Sequence, residues 1–243
     1  MAAARRVPVG PAPDPAVQKL RVRYAKRGRM RFTSSRDFQR ALERALRLAQ
    51  VPMAYSAGFH PHPKVSYANA APTGVASEAE YAELSVTRVI DADQLVQSLD
   101  AALPDGLDIV DAVEAAPGAL ADLLVASRWQ LSFPGLSVEH VQQAVDAFLV
   151  QESVEVTRMM KQGPRAIDVR PPVLLAEVVA GGDTHGPAAV LLVTIRHTTP
   201  TVRPAEIWTA LRGVSEVDLP RPASTRLAQG RLGEDGTLLD PLR

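Results

Sequence analysis

The chain has 243 residues, 46% of them hydrophobic and 22% charged, and no cysteine. That length can bury one large core or two modest ones without covalent staples, and the missing thiols exclude disulfides, thiolate zinc sites, a cysteine nucleophile and a chain-held iron–sulfur cluster. The net charge of +0 hides an asymmetry: Lys19 to Lys64 holds twelve Lys/Arg against Asp37 and Glu43, whereas Ala76 to Val125 holds eleven acids against Arg88.

Residues 1–17 are rich in Ala and Pro and are expected to form a disordered leader. Arg5 and Arg6 are followed by no apolar stretch, so no signal peptide is expected. No apolar run approaches the roughly 20 residues that span a bilayer. The expected address is cytoplasmic, without membrane contact.

Leu20 to Tyr24 alternates apolar with basic residues, which predicts a half-buried strand with a cationic outer face. Lys26 to Arg29 reads as a turn, and Met30-Arg31-Phe32 as resumed extended chain. Ser34 or Ser35 is placed to cap a helix, with Asp37 near its N-terminus. Phe38, Ala41, Leu42, Ala45, Leu46 and Ala49 form its apolar stripe, and Arg36, Arg40, Arg44 and Arg47 lie off it. Pro52 ends the helix. Met53-Ala54-Tyr55 predicts a short strand, followed by the loop Gly58-Phe59-His60-Pro61-His62-Pro63-Lys64 and by Val65 to Ala68. Glu80 to Val89 alternates as a strand. Asp91 opens a helix with Gln94 as its capping partner, and Pro104-Asp105-Gly106 turns the chain into Leu107 to Val110.

A second pass begins near Arg128, with a strand at Trp129 to Phe133 and a helix capped by Ser137. Extended segments are expected at 153–160, 165–178 and 188–197, with a Gly181-Gly182-Asp183 loop before the last. Arg203-Pro204 opens a further helix, and a last strand and tail start near Ser224. The pattern predicts an α+β fold of two tandem ferredoxin-like (split βαβ) units with mostly antiparallel sheets, divided as 18–125 and 126–243.

Three stretches carry candidate chemistry. In the loop, alternate prolines favour extended backbone, in which His60, His62 and Lys64 share a side. Such a loop could grip phosphates beside Arg23, Arg29, Arg31, Arg40 and Arg44, with Tyr55 or Phe59 stacking a base. The alternative is a plain surface loop with Phe59 tucked into the core. Metal binding by His60 and His62 lacks further ligands nearby. Second, the acidic run at 76–125 could answer the basic surface internally, which would weaken the case for an external ligand. Third, Lys161 to Pro171 forms a turn and strand that set Asp168 and Arg170 on one face, either as a site with Lys161 or as an exposed ion pair of little worth.

Arg31-Phe32-Thr33-Ser34-Ser35-Arg36-Asp37-Phe38, the run from Pro52 through Lys64, Pro72-Thr73-Gly74 and Ile167-Asp168-Val169-Arg170-Pro171 together resemble the radical-SAM-linked protein family, a bacterial domain of unknown function. The resemblance covers about residues 18–175. Family members often carry a histidine and leucine before the helix aspartate, where this chain has Ser35 and Arg36, so no role of that histidine transfers. The resemblance implies an accessory of a radical S-adenosylmethionine protein, with gene neighbours that point toward RNA. Lacking cysteine, the chain cannot itself hold the cluster of such an enzyme, and no cofactor is expected on it. The leading expectation is a non-catalytic RNA-binding or RNA-presenting partner. The alternatives are an RNA-processing or RNA-modifying enzyme using His60 or His62, and an adaptor that binds only protein.

Overall fold

The computed structural model describes residues 13–183 and 186–243. The expected leader therefore lies outside the described residues as far as residue 12, while residues 13–17 are exposed and precede the first strand. Among the described residues the fold is α+β, with five α-helices and mostly antiparallel strands. The chain divides into two compact units. Unit one takes the residues up to Gly74, Glu80–Leu120 and Leu242; unit two takes Val75–Ala79, Ala121–Pro241 and Arg243.

Unit one contains β1 (Gln18–Lys26), α1 (Ser35–Leu48), β2 (Val65–Ala68), most of β3 (Ala76–Val86), α2 (Ala92–Ala102) and β4 (Leu107–Glu114). Its strands lie in the order β4-β1-β3-β2, and β1–β4 and β2–β3 are antiparallel. Helix α1 forms where its apolar period predicts, because Ser34 Oγ accepts from Asp37 N at 3.2 Å and so satisfies a donor at its first turn. Asp91 caps α2 in the same way through Gln94 N at 2.9 Å. Phe38, Leu42, Ala45 and Leu46 of α1 meet Leu20, Val22 and Tyr24 of β1 in one buried cluster. Tyr24 stacks on Phe38 with ring centres 3.9 Å apart, and Tyr67 of β2 meets Phe38 edge-on at 6.1 Å. Burying each such side chain contributes about 1.5–3 kcal/mol.

Two local expectations for this unit need correction. Met30-Arg31-Phe32 is not extended but part of a 3-10 turn, Gly28–Phe32. Gly28 takes φ +50, which commits the chain to a tight turn. Met53-Ala54-Tyr55 is no regular strand: it makes only isolated bridges, Met53 to Val86 and Tyr55 to Pro63. Pro52, Pro61 and Pro63 have no N–H to extend a ladder.

Unit two follows with β5 (Ala126–Pro134), α4 (Val138–Leu149), β6 (Glu155–Met160), β7 (Gly163–Asp168), β8 (Val173–Asp183), β9 (Gly186–Arg196), α5 (Pro204–Val214), β10 (Ala223–Leu232) and β11 (Leu238–Leu239); the short α3 (Leu120–Leu123) precedes them. The order β10-β5-β9-β8 is extended on β10 by β11 and by a short parallel pairing of Ala76 and Ser77 with Thr225 and Arg226. Helix α4 packs on α5, β8 and β9, burying Val141, Val145 and Phe148. The expected segments at 153–160 and 165–178 resolve into the separate β6–β7 hairpin and the start of β8, because Pro171 and Pro172 interrupt the ladder between them. Gly181 and Gly182 belong to β8 rather than to a loop. A Cβ on Gly181 would lie 2.5 Å from Val190 Cγ2, so this strand glycine permits close packing.

Candidate functional site

The Gly58–Lys64 loop is closed at its base and open at its tip. Ser56 N donates to His62 O at 2.8 Å, Ser56 Oγ accepts from His62 N at 3.0 Å, and Lys64 N donates to Ala54 O at 2.8 Å. Ala54 N donates to Ser85 O at 2.8 Å and Ser85 N to Lys64 O at 3.0 Å, which ties the base to β3. The tip is bent over residues 57–60, and Gly58 has φ +135. The extended run expected to align His60, His62 and Lys64 is therefore broken, since His60 lies on the bend. Phe59 is 62% exposed and Tyr55 39% exposed. The reading with Phe59 tucked into the core is overturned by that exposure. His60, His62 and Lys64 are exposed as well.

The basic residues divide into two populations. Arg21, Arg23 and Lys26 of β1 and Arg27 just after it do not form a cationic outer face. Arg21 is only 3% exposed; its Nε donates to Glu83 Oε1 at 3.2 Å, and its NH2 donates to the carbonyls of Ala116 and Gly118 at 3.0 and 2.8 Å. Arg23 lies 3.8 Å from Asp111, and Arg27 donates to Asp108 at 2.7 Å. Lys26 is buried and donates to Ala71 O at 3.3 Å. Part of the acidic run thus answers the basic strand inside unit one. Strand pairing causes this, because β3 and β4 flank β1 and carry those carboxylates.

The second population stays outward. Arg36, Arg40, Arg44 and Arg47 are exposed along α1. Arg40 approaches only Asp37, at 3.8 Å with both side chains well exposed, a pair of small worth. Among the described residues Arg36, Arg44 and Arg47 form no ion pair. Arg29 is exposed on the 3-10 turn. Arg31 sets its guanidinium 4.8 Å from the Phe32 ring centre, with its Nε buried and lacking a hydrogen-bond partner. Near the stripe, burial and then the charge of Glu43 push the Tyr67 hydroxyl far above its ordinary range.

The second-unit candidates disperse. Lys161 is exposed at the tip of the β6–β7 hairpin. Asp168 and Arg170 are not a surface pair, because each turns to backbone. Asp168 Oδ1 accepts from Val154 N at 3.0 Å and Arg170 N at 3.2 Å. Burial raises its carboxyl, but these bonds and the Ser153 hydroxyl outweigh that and hold it below the usual range. Arg170 donates to Leu149 O at 3.1 Å, closing the C-terminus of α4.

Other polar groups were invisible in the sequence. Arg158 grips both carboxylate oxygens of Glu206, with each side chain 11% exposed. The buried Ser127 lies 2.6 Å from His197 Nε2, whose Nδ1 lies 2.7 Å from Leu124 O. Burial, with the nearby Arg226 charge, pulls the His197 imidazole below its ordinary range, although the Leu124 carbonyl acts the other way. Ser127 is fully buried, so this contact is structural. Pairings across 48 and 70 residues leave no local pattern. The exposed Phe32 lies beside Arg29 and Arg31, a signal that could have marked it, although the sequence predicts extended chain there. Among the described residues no cluster of three or more His, Asp or Glu is placed to hold a metal, and no helix is long and apolar enough to cross a membrane.

Residues 19–204 match the profile of one protein family, a match that runs from the second residue of β1 to the start of α5. The chain belongs to the family described as "Uncharacterized protein conserved in bacteria (DUF2344)". The match covers both candidate stretches, the Gly58–Lys64 loop and the segment around Asp168. That description says nothing of a radical enzyme. No curated protein matches the chain. An unknown protein from Galdieria sulphuraria is similar over 84% of this chain and 98% of its own, at 15% identity and a TM-score of 0.24. DyPB from Rhodococcus jostii RHA1 is similar over 87% and 90%, at 13% identity and a TM-score of 0.23. Superpositions this loose establish no common fold or chemistry.

Proposed function

We propose that the chain is a non-catalytic accessory protein that binds RNA through the outward arginines of α1 and the Gly58–Lys64 loop. The observation that carries this reading is the division of charge: acids of unit one pair with Arg21, Arg23 and Arg27, whereas Arg36, Arg44 and Arg47 keep theirs unneutralised. Across residues 36–47 the stripe runs for about 16 Å at 1.5 Å per residue. That length suits consecutive phosphates on one strand. Lys64, His60 and His62 add donors on the adjoining loop.

Support for two tandem ferredoxin-like units, as the scaffold of this function, comes from the strand orders β4-β1-β3-β2 and β10-β5-β9-β8, which repeat one pattern in the two halves. A cytoplasmic site of action and a radical S-adenosylmethionine protein as partner belong to the same proposal. The partner rests on the sequence resemblance, and the absence of cysteine makes this chain the helper of such a pair. Co-purification that survives nuclease treatment tests for a direct protein contact.

The main test is a salt titration of RNA binding. If the four α1 arginines each neutralise one phosphate, log K falls with log[salt] at a slope near −2.8, about fifty-fold between 50 and 200 mM salt. Salt-independent binding, or no binding at 50 mM salt, sinks the proposal.

A further inference from the structure

Aromatic side chains narrow the ligand further. The chain has only 5 Phe, 4 Tyr and 2 Trp, and most serve the cores: Phe38, Phe133, Phe148, Tyr24, Tyr81 and Trp129 are buried. The aromatic rings that stand exposed are Phe32, Tyr55 and Phe59, and all three fall inside the basic segment from Lys19 to Lys64. A single exposed ring is ordinary. Three confined to one cationic stretch, in a chain this poor in aromatics, mark a surface that uses them.

The loop that carries Tyr55 and Phe59 leads into the strand against which α1 packs. The loop runs through Lys64 directly into β2, whose Tyr67 meets Phe38 of α1 edge-on at 6.1 Å. On α1, Arg36, Arg40, Arg44 and Arg47 recur at spacings of four, four and three residues, which line them along one exposed stripe.

We infer that this surface takes single-stranded RNA, with phosphates along Arg36, Arg40, Arg44 and Arg47 and an unpaired base stacked on Phe59. The inference rests on the RNA reading above and adds the strand state. Duplex RNA offers the same phosphate charge, but its base faces are covered by their neighbours, so Phe59 has nothing to stack on. Single-strand binders pair a cationic track with aromatic platforms, and removing one platform weakens binding by on the order of tenfold or more.

The test is fluorescence anisotropy of the full chain at 50 mM salt with three labelled 12-mers: oligouridine, an RNA duplex, and an abasic strand with the same phosphates. Oligouridine is expected to bind at least tenfold tighter than the other two. Phe59→Leu should weaken oligouridine binding about tenfold without changing its salt slope, and Phe59→Trp should restore it. Phe59 is exposed, so neither variant threatens the fold, and an unchanged melting temperature verifies that. Equal binding of all three 12-mers with a steep salt slope, and no effect of Phe59→Leu, overturns the single-strand inference while leaving RNA binding intact. Failure of all three to bind overturns both. Competition by polyglutamate as effective, per charge, as oligouridine also overturns it and points to an acidic protein surface.

Discussion

Replacing Glu83 by Gln should damage unit one far more than its place in a polar-looking strand suggests. The carboxylate is the charged partner of Arg21, and the two side chains are 8% and 3% exposed. The substitution keeps the shape and an acceptor oxygen but leaves the guanidinium buried without a countercharge, among neutral acceptors that include the Ala116 and Gly118 carbonyls. Removing one member of a buried pair costs about 3–5 kcal/mol. At a few degrees per kcal/mol that lowers the melting temperature of the unit by roughly 10 °C or more. Urea titration followed by circular dichroism measures the free energy, and scanning calorimetry the temperature. Two controls sharpen it. Glu114→Gln, at an exposed position of β4, should change stability by about 0.5 kcal/mol or less. The double variant Arg21→Met/Glu83→Leu should recover most of the loss, because it removes both buried charges together. A cost for Glu83→Gln below about 1 kcal/mol would refute the reasoning. It would mean that the β1 arginines are not neutralised internally, and the contrast between β1 and α1 that supports the RNA proposal would fall with it.

Three further outcomes are expected. Arg44→Ala should make the slope of log K for RNA against log[salt] shallower by about 0.7, whereas Arg23→Ala, beside Asp111, should leave it unchanged; equal effects of the two contradict the charge division. His197 is held below its unfolded value near 6.5, so acid favours the unfolded chain, which takes up the proton more readily. Its contribution is present in full above about pH 6.5 and is lost as pH falls through the folded value, at up to about 1.4 kcal/mol per pH unit; His197→Gln should flatten the fall in melting temperature between pH 7 and 5, and an unchanged fall contradicts this. Gly230→Ala should destabilise unit two, because a Cβ there would lie 1.9 Å from Leu239 O; chemical denaturation that gives wild-type stability would show that β11 yields instead.

Local chemistry was legible in the sequence wherever one residue acts on its neighbours. Ser34, Asp91 and Ser137 stand where a side-chain oxygen meets a backbone N–H three residues on, so the starts of α1, α2 and α4 could be read directly. The apolar period of α1 set which face is buried, and with it the outward direction of Arg36, Arg40, Arg44 and Arg47. The absence of cysteine settled, without any structure, that the chain holds no thiolate-bound cluster. Tertiary structure decided whatever depends on which strands become neighbours. Alternation along β1 could show that Arg21 and Arg23 share a face, but only the β4-β1-β3 order reveals that Glu83 and Asp111 stand opposite them. The same holds for Asp168 and Arg170, whose partners Val154 and Leu149 lie 14 and 21 residues away. The Gly58–Lys64 loop shows both sides of this division: its residue types are in the sequence, but the bend at its tip depends on a loop base held by β3. Periodicity records which way a side chain points; the charge it meets there is set by chain segments that sequence distance does not order.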